Sequence, residues 1–140
     1  MASIPTTGIF YPFAGLTIVY HVEVKTPSLA NSRMHWAKRA RIVKTQRQLA
    51  KAETEEALIG SYDCSAHWPI FTAATITLTR YAPGVPLDTD NLASSQKAIR
   101  DGIADGCRVN DGDKRITWRY DQVRCKRGQE ATFVIIQAET

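Results

Sequence analysis

The sequence lacks three features that mark common protein classes. No apolar run approaches the roughly 20 residues that a membrane-spanning helix requires, and the first residues have neither the charged start nor the continuous apolar centre of a signal peptide. Cys64, Cys107 and Cys125 are far apart and form no CxxC pair, so we expect free thiols rather than a disulfide framework or a zinc site. These absences predict a soluble, cytoplasmic protein with no membrane partner.

The sequence also shows no internal repeat, no linker and no low-complexity tract. Its 140 residues suit one domain and are enough to bury a core without a structural metal. Hydrophobic residues make up 44% of the chain and charged residues 23%, which is typical of a globular protein and disfavours a disordered or fibrous one. We therefore predict a single domain over residues 1–140.

Positive charge is concentrated in one segment. The formal net charge is only +4, but residues 33–51 contain seven basic side chains, one histidine and no acid. The rest of the chain carries 11 basic and 14 acidic residues. A polyanion is the natural partner for such a segment, although a solvated helical face is a commoner origin of a basic run.

The hydrophobic pattern alternates between strand and helix periods. The order is strand, helix, strand, helix, strand, strand, which predicts an α+β fold with a mixed four-stranded sheet and two covering helices. We expect the second strand to be central and the last two strands to form a C-terminal hairpin. The predicted strands cover residues 16–25, 70–81, 116–125 and 130–138. The first predicted helix follows a loop at 26–33, and the second runs from about 90 to 105.

The first helix, expected to end at about Ile59, carries one narrow apolar stripe. Trp36, Ala40, Val43 and Ala50 recur at helical spacing, while most basic side chains project elsewhere. Asn31 or Ser32 would cap its start. Because Trp36 lies on the stripe and Trp118 alternates with core positions of a strand, core packing is favoured over stacking on bases for both.

The second helix has an apolar side and a charged side. Leu92, Ile99 and Ile103 form the apolar face. Counting 100° per residue places three charged side chains on the opposite face: Asp90, Lys97 and Asp101.

Two aspartates lie where the second helix begins. In an extended segment the carboxylates of Asp88 and Asp90 point the same way, and such a pair could bind Mg²⁺ together with waters and substrate phosphates. The alternative is that one of them only caps the helix, which contributes about 1 kcal/mol. Asp111 and Asp113, in the loop after the helix, would join the pair only if tertiary packing closes the gap.

These residues carry a resemblance to a known family. Residues 87–113, LDTDNLASSQKAIRDGIADGCRVNDGD, resemble the signature of the RusA-type Holliday-junction resolvases: Asp-x-Asp-Asn-Leu, a Lys on the following helix, an Asp-Ala/Gly-hydrophobic and a later Asp pair. Residues 26–36, TPSLANSRMHW, resemble that family's loop of Pro, Ser, Asn, Arg and an aromatic before its first helix.

The resemblance implies a RusA-like, homodimeric, Mg²⁺-dependent endodeoxyribonuclease that nicks opposed strands of four-way DNA junctions in recombination and repair. Mn²⁺ would substitute for Mg²⁺, no organic cofactor is implied, and such proteins are commonly carried by phages and prophages. Asp88, Asp90 and Asp111 match the family's metal-binding aspartates, and Lys97 its catalytic lysine. Lys97 follows Asp90 by seven residues where the family has four, and Asn110 replaces the first member of the later Asp pair. Asp113 is a reserve ligand.

In the corresponding mechanism, the aspartates hold one or two Mg²⁺ ions and Lys97 offsets charge in the transition state. The start of the basic segment contacts phosphates without reading bases. The predicted DNA contacts are Asn31, Arg33, His35, Lys38, Arg39 and Arg41.

Two alternatives stay open. In the first, the protein binds nucleic acid without catalysis, and the aspartates only cap a helix and shape a loop. In the second, a metal-dependent nuclease with the same residues acts on another branched DNA or on RNA.

Overall fold

The computed structural model describes residues 17–27, 33–61 and 73–138. It has a four-stranded mixed sheet with helices packed against one of its faces, which confirms the α+β class. The strands are β1 (Thr17–Val22), β2 (Ala74–Ala82), β3 (Ile116–Arg124) and β4 (Ala131–Ala138), and the helices are α1 (Trp36–Ser61), α2 (Thr89–Ser95) and α3 (Lys97–Cys107).

The strand order is β1-β4-β2-β3, so the predicted C-terminal hairpin is wrong. β3 pairs with β2 in parallel, whereas β4 lies between β1 and β2 and is antiparallel to both. β2 is an interior strand, as expected. The connection from β3 to β4 turns at Gly128, with φ of +89°, but carries the chain past β2 instead of returning it along β3.

Side-chain chemistry accounts for which strands are interior. In β4, Val134 and Ile136 are fully buried between β1 and β2. β3 instead exposes Arg119, Asp121 and Arg124. Charged side chains on an edge strand discourage pairing with another chain, and an apolar strand gains most from neighbours on both sides. The sheet therefore places its most apolar C-terminal strand inside and its most charged strand at the edge.

The predicted second helix is two helices, interrupted at Gln96. The Gln96 side chain is completely buried, where its Oε1 accepts a hydrogen bond from the Thr132 hydroxyl (2.9 Å) and its Nε2 donates to the Thr26 hydroxyl (3.2 Å). Just before it, the Ser95 hydroxyl donates to the Leu92 carbonyl (2.7 Å), a local bond that competes with regular helix. The predicted apolar face holds, because Leu92 is buried like Ile99 and Ile103.

The apolar stripe predicted for α1 is wrong in its first half. Trp36 is 75% exposed and Ala40 is exposed too, whereas the buried positions are Gln46, Ala50, Thr54 and Leu58, four residues apart. Core packing for Trp36 is therefore also wrong. The reason is that the fully buried positions of α1 begin at Gln46, so most side chains of its first turns are exposed, although Arg39 is half-buried in a cavity beside α2 and α3.

Helix α3 packs very closely against α1 at two glycines. A Cβ on Gly102 would meet the Arg47 carbonyl oxygen and lie 2.7 Å from the Ala50 Cβ, and one on Gly106 would lie 2.7 Å from the Thr54 Cβ. Glycine at both positions therefore lets the two backbones approach. This approach brings the basic helix α1 against the charged side of α3.

Three further predictions concern the cysteines, the caps of α1 and membrane-spanning helices. Cys107 and Cys125 are free thiols, as expected, whereas Cys64 and the proposed caps Asn31 and Ser32 lie outside the described residues. Burial raises the pKa of the Cys107 thiol to about 12. In the described ranges, no helix has both the length and the apolarity needed to cross a bilayer.

Candidate active site

A polar cleft of about 330 Å³ lies between α1, α3 and the loop that follows α3. Five charged side chains line it, and we call them the cleft group. They come from three segments of the chain, so the cleft is assembled by the packing of α3 on α1. The cleft group consists of Arg47, Lys97, Asp101, Asp105 and Asp111.

Lys97 connects two carboxylates of the cleft group. Its Nζ lies 3.4 Å from both side-chain oxygens of Asp101 and 3.9 Å from Oδ2 of Asp111. The first contact is local, since the residues are four apart on α3. The second joins residues 14 positions apart in the sequence. The structure thus brings together Lys97 and Asp111, two of the four predicted catalytic residues.

Arg47 connects α1 to α3. Its Nε donates to Asp105 Oδ2 (2.7 Å) and its Nη2 to Asp105 Oδ1 (3.0 Å), a two-pronged bond that suits the planar guanidinium. This bond lowers the pKa of Asp105 below its usual value and raises that of Arg47. The remaining nitrogen, Nη1, lies 4.0 Å from Asp101 Oδ2.

The loop that carries Asp111 is fastened through its backbone. The Asp111 carbonyl accepts hydrogen bonds from Arg100 Nη2 (2.8 Å) and from Trp118 Nε1 (3.2 Å). Arg100 also donates to the Tyr120 hydroxyl (3.0 Å), and its guanidinium lies 4.8 Å from the centre of the Trp118 ring. Because the carbonyl carries these contacts, the Asp111 carboxylate is left pointing to the cleft, where it is 43% exposed.

Asp88 and Asp90, the junction pair, lie where β2 leads into α2. Asp88 caps α2, since its Oδ1 accepts a hydrogen bond from the Asn91 backbone N–H (2.9 Å). The cap is anchored to β3, because the Gln122 side chain bonds both the N–H and the carbonyl of Leu87 (2.9 and 2.7 Å). Asp90 is exposed and makes no side-chain hydrogen bond or ion pair with any described residue.

Asp113, the reserve ligand, is paired with Arg115. Both of its carboxylate oxygens accept hydrogen bonds from the Arg115 guanidinium, at 2.7 to 3.2 Å. This pairing holds the pKa of Asp113 at about 2. Neither residue lines the cleft.

The predicted metal ligands come from two parts of the chain, the junction pair and the loop after α3. Within residues 17–27, 33–61 and 73–138, no three His, Cys, Asp or Glu side chains lie close enough to hold a metal ion together. Mg²⁺ requires only one or two carboxylates, with waters and substrate phosphates completing its shell. The second oxygen of Asp88, the exposed carboxylate of Asp90 and the half-exposed carboxylate of Asp111 have the donor chemistry that suits it. Their joint action on one ion stays a prediction.

The basic surface predicted for DNA lies on the first turns of α1 and the residues before it. Arg33, Lys38 and Arg41 are exposed, as the patterning of α1 predicts, and Arg39 lines a second cavity of about 240 Å³ that shares Lys97 and Asp101 with the cleft. His35 is exposed, and its Nδ1 accepts a hydrogen bond from the Ala37 N–H (3.2 Å). Asn31 lies outside the described residues.

Sequence reasoning missed Arg47, Asp105 and Arg100 as parts of the site. The spacing of Lys97, Asp101 and Asp105, each four residues after the last, is the signal that could have extended the charged face of α3 to Asp105. Nothing local identifies Arg47, because its partner lies 58 residues away.

Comparison with known proteins gives no relative. The chain matches no protein-family model, no curated protein and no solved structure.

Proposed function

We propose that this protein is a Mg²⁺-dependent endodeoxyribonuclease, as the RusA-type resemblance implies. It recognises the shape of a four-way DNA junction and introduces a pair of nicks into opposed strands. One observation carries the proposal. The resemblance assigns Lys97 and Asp111 to one catalytic set, and Lys97 Nζ lies 3.9 Å from Asp111 Oδ2 although the two residues are 14 positions apart.

The cleft group contains a cation and carboxylates of the kind that phosphodiester hydrolysis uses. Lys97 is 68% exposed at the cleft, so its ammonium can contact a phosphate and stabilise the charge that develops on it. Asp111 or the junction pair would supply one or two carboxylate oxygens to Mg²⁺, and waters and the DNA phosphate would complete the shell of the ion. The bound ion would polarise the phosphate and lower the pKa of an attacking water. No residue needs to form a covalent intermediate.

The basic surface supports a DNA substrate. The exposed basic residues of α1 continue from its first turns to Arg47 at the cleft. Side chains of this kind bind phosphates without reading bases, so selection among DNA molecules would come from their shape. A homodimer would present two such clefts to the two equivalent phosphates of a junction.

Asp88 also favours a second candidate function. A carboxylate that caps a helix has a structural role already, as expected of a DNA-binding protein without catalysis. Such a protein binds junctions equally well with and without Mg²⁺ and yields no product.

The deciding experiment measures nicking of a labelled synthetic four-way junction beside a linear duplex of equal length, with and without Mg²⁺. The variants are Asp90→Asn and, as a matched control, Asp121→Asn, which removes an exposed carboxylate from β3. The proposal predicts symmetric, Mg²⁺-dependent nicks in the junction alone, lost in Asp90→Asn with binding retained and kept in Asp121→Asn. If the protein binds the junction but produces no nicks with every divalent metal tested, the non-catalytic alternative is correct. If it nicks flaps or RNA and not the junction, it is a nuclease with a different substrate.

A further inference from the structure

The guanidinium of Arg47 is held in one orientation, but only two of its three nitrogens donate hydrogen bonds to described residues. Asp105 occupies Nε and Nη2. The third nitrogen, Nη1, is 4.0 Å from Asp101 Oδ2, which is too far for a hydrogen bond. Arg47 therefore presents N–H donors to the cleft while its plane is fixed by the pair with Asp105.

The backbone of Arg47 is fixed as well. Its carbonyl lies against Gly102 of α3, at the closest approach of the two helices. Arg47 lowers the pKa of Asp105, so this carboxylate stays ionised at neutral pH and keeps its hold on the guanidinium. An arginine ordered in advance loses little freedom when it binds an anion.

A second cation faces the same point in the cleft. Lys97 Nζ is 3.4 Å from Asp101 Oδ2, the oxygen that Arg47 Nη1 approaches from α1. Neither contact is a close two-pronged bond, so both cations retain donors for a further acceptor. An oxyanion entering here would meet one cation from each helix, together with the carboxylate of Asp101 that both cations approach and that of Asp111 beside Lys97.

The surroundings indicate that this anion belongs to a polymer. Lys44 and Lys51 flank Arg47 at three and four residues along α1, and both are exposed. Residues at this spacing are neighbours on a helix surface. A row of cations whose middle member, Arg47, lines a cleft is suited to a strand of linked phosphates.

We propose that Arg47 and Lys97 together bind one backbone phosphate of a nucleic acid strand in the cleft, and that Asp105 is the positioning residue for Arg47. This inference rests on the proposed function for its ligand, because it places the phosphate beside Lys97. It adds to that proposal a binding residue on α1 and the acid that orients it.

The experiment measures the affinity for a four-way junction at several salt concentrations, without divalent metal, by fluorescence anisotropy. Arg47→Gln removes the charge, and Arg47→Lys keeps it. Arg115→Gln is the matched control, since Arg115 also pairs with an aspartate at 2.7 Å and its side chain is 48% exposed against 50% for Arg47. The unfolding midpoint of each variant is measured in parallel.

We expect Arg47→Gln to raise Kd about tenfold. It should also make the slope of log affinity against log salt shallower by about one, the effect of one lost phosphate contact. Arg47→Lys should restore the slope, and Arg115→Gln should leave it unchanged. A loss of stability alone does not alter this slope.

The outcomes separate this inference from the proposed function. A wild-type slope in Arg47→Gln, or an equal loss of slope in Arg115→Gln, overturns the role of Arg47. If the slope changes as expected but the wild-type protein never nicks DNA, Arg47 is a phosphate contact and the nuclease proposal fails. If the wild-type protein does not bind the junction at all, both are overturned.

Discussion

The junction pair and the cleft group are built differently. The junction pair is local: Asp88 and Asp90 are two residues apart, and Asp88 bonds the backbone of Asn91 three residues on. The cleft group is tertiary, because α1, α3 and the following loop each contribute to it. A short motif in a sequence can therefore have a complete local explanation, while residues far apart form the more distinctive chemical arrangement.

The largest effect on stability is expected where the cleft group depends on close helix packing. Gly102→Ala would place a methyl group against the backbone of Arg47, which cannot move aside cheaply. We expect it to lower the free energy of unfolding by about 1–3 kcal/mol, as measured by urea denaturation. Gly60→Ala is the control, because no atom lies within 4 Å of a Cβ there. Equal stability of the two variants would contradict the close packing.

A somewhat smaller effect is expected from the residue that fastens Asp111. Arg100→Gln removes hydrogen bonds to the Asp111 carbonyl and to the Tyr120 hydroxyl. We expect a loss of about 1–2 kcal/mol in the free energy of unfolding and slower nicking, since the Asp111 loop is less ordered. Arg119→Gln, an exposed arginine on β3, should stay within about 0.5 kcal/mol of the wild-type protein. A wild-type nicking rate in Arg100→Gln would show that the order of this loop does not matter for catalysis.

The four strands indicate how far the sequence could predict the fold. Alternation located β1, β2, β3 and β4, because the period of two follows directly from strand geometry. It does not identify partners, and the short turn at Gly128 resembles a hairpin turn although the chain crosses β2. The charges on β3 and the apolar run of β4 were the available signals for edge and interior.

The candidate site was predictable only in part, for the same reason. Spacing placed Lys97 on the charged side of its helix, and the resemblance connected it with Asp111. The break at Gln96 and the exposure of Trp36 both depend on what each helix packs against. The buried bonds of Gln96 reach Thr132 and Thr26, which no local pattern reveals.

The smallest effect concerns the pair between Arg47 and Asp105. Because this pair lowers the pKa of Asp105 in the folded state, it stabilises the fold above the unfolded pKa of an aspartate, and the stabilisation is lost as the pH falls through the folded value. Asp105→Asn should cost about 0.2–1 kcal/mol at pH 7, a difference that shrinks below about pH 4. Urea denaturation at both pH values measures it, and Arg47→Gln should follow the same trend. A difference that does not change with pH would contradict this assignment.

The most direct test of the nuclease account uses a substitution that separates the two roles of Asp88. Asparagine caps a helix about as well as aspartate, so Asp88→Asn should keep the stability of the wild-type protein. Asp88→Ala loses the cap and should cost about 1 kcal/mol. Thermal unfolding checks both expectations.

The measurement is the single-turnover rate of junction nicking by Asp88→Asn with saturating Mg²⁺, beside Asp121→Asn. If Asp88 helps to hold the ion, Asp88→Asn folds normally and nicks at least about 10²-fold more slowly, while Asp121→Asn nicks at the wild-type rate. If Asp88→Asn nicks as fast as the wild-type protein, Asp88 only caps α2, and the account of the junction pair as a metal site is wrong.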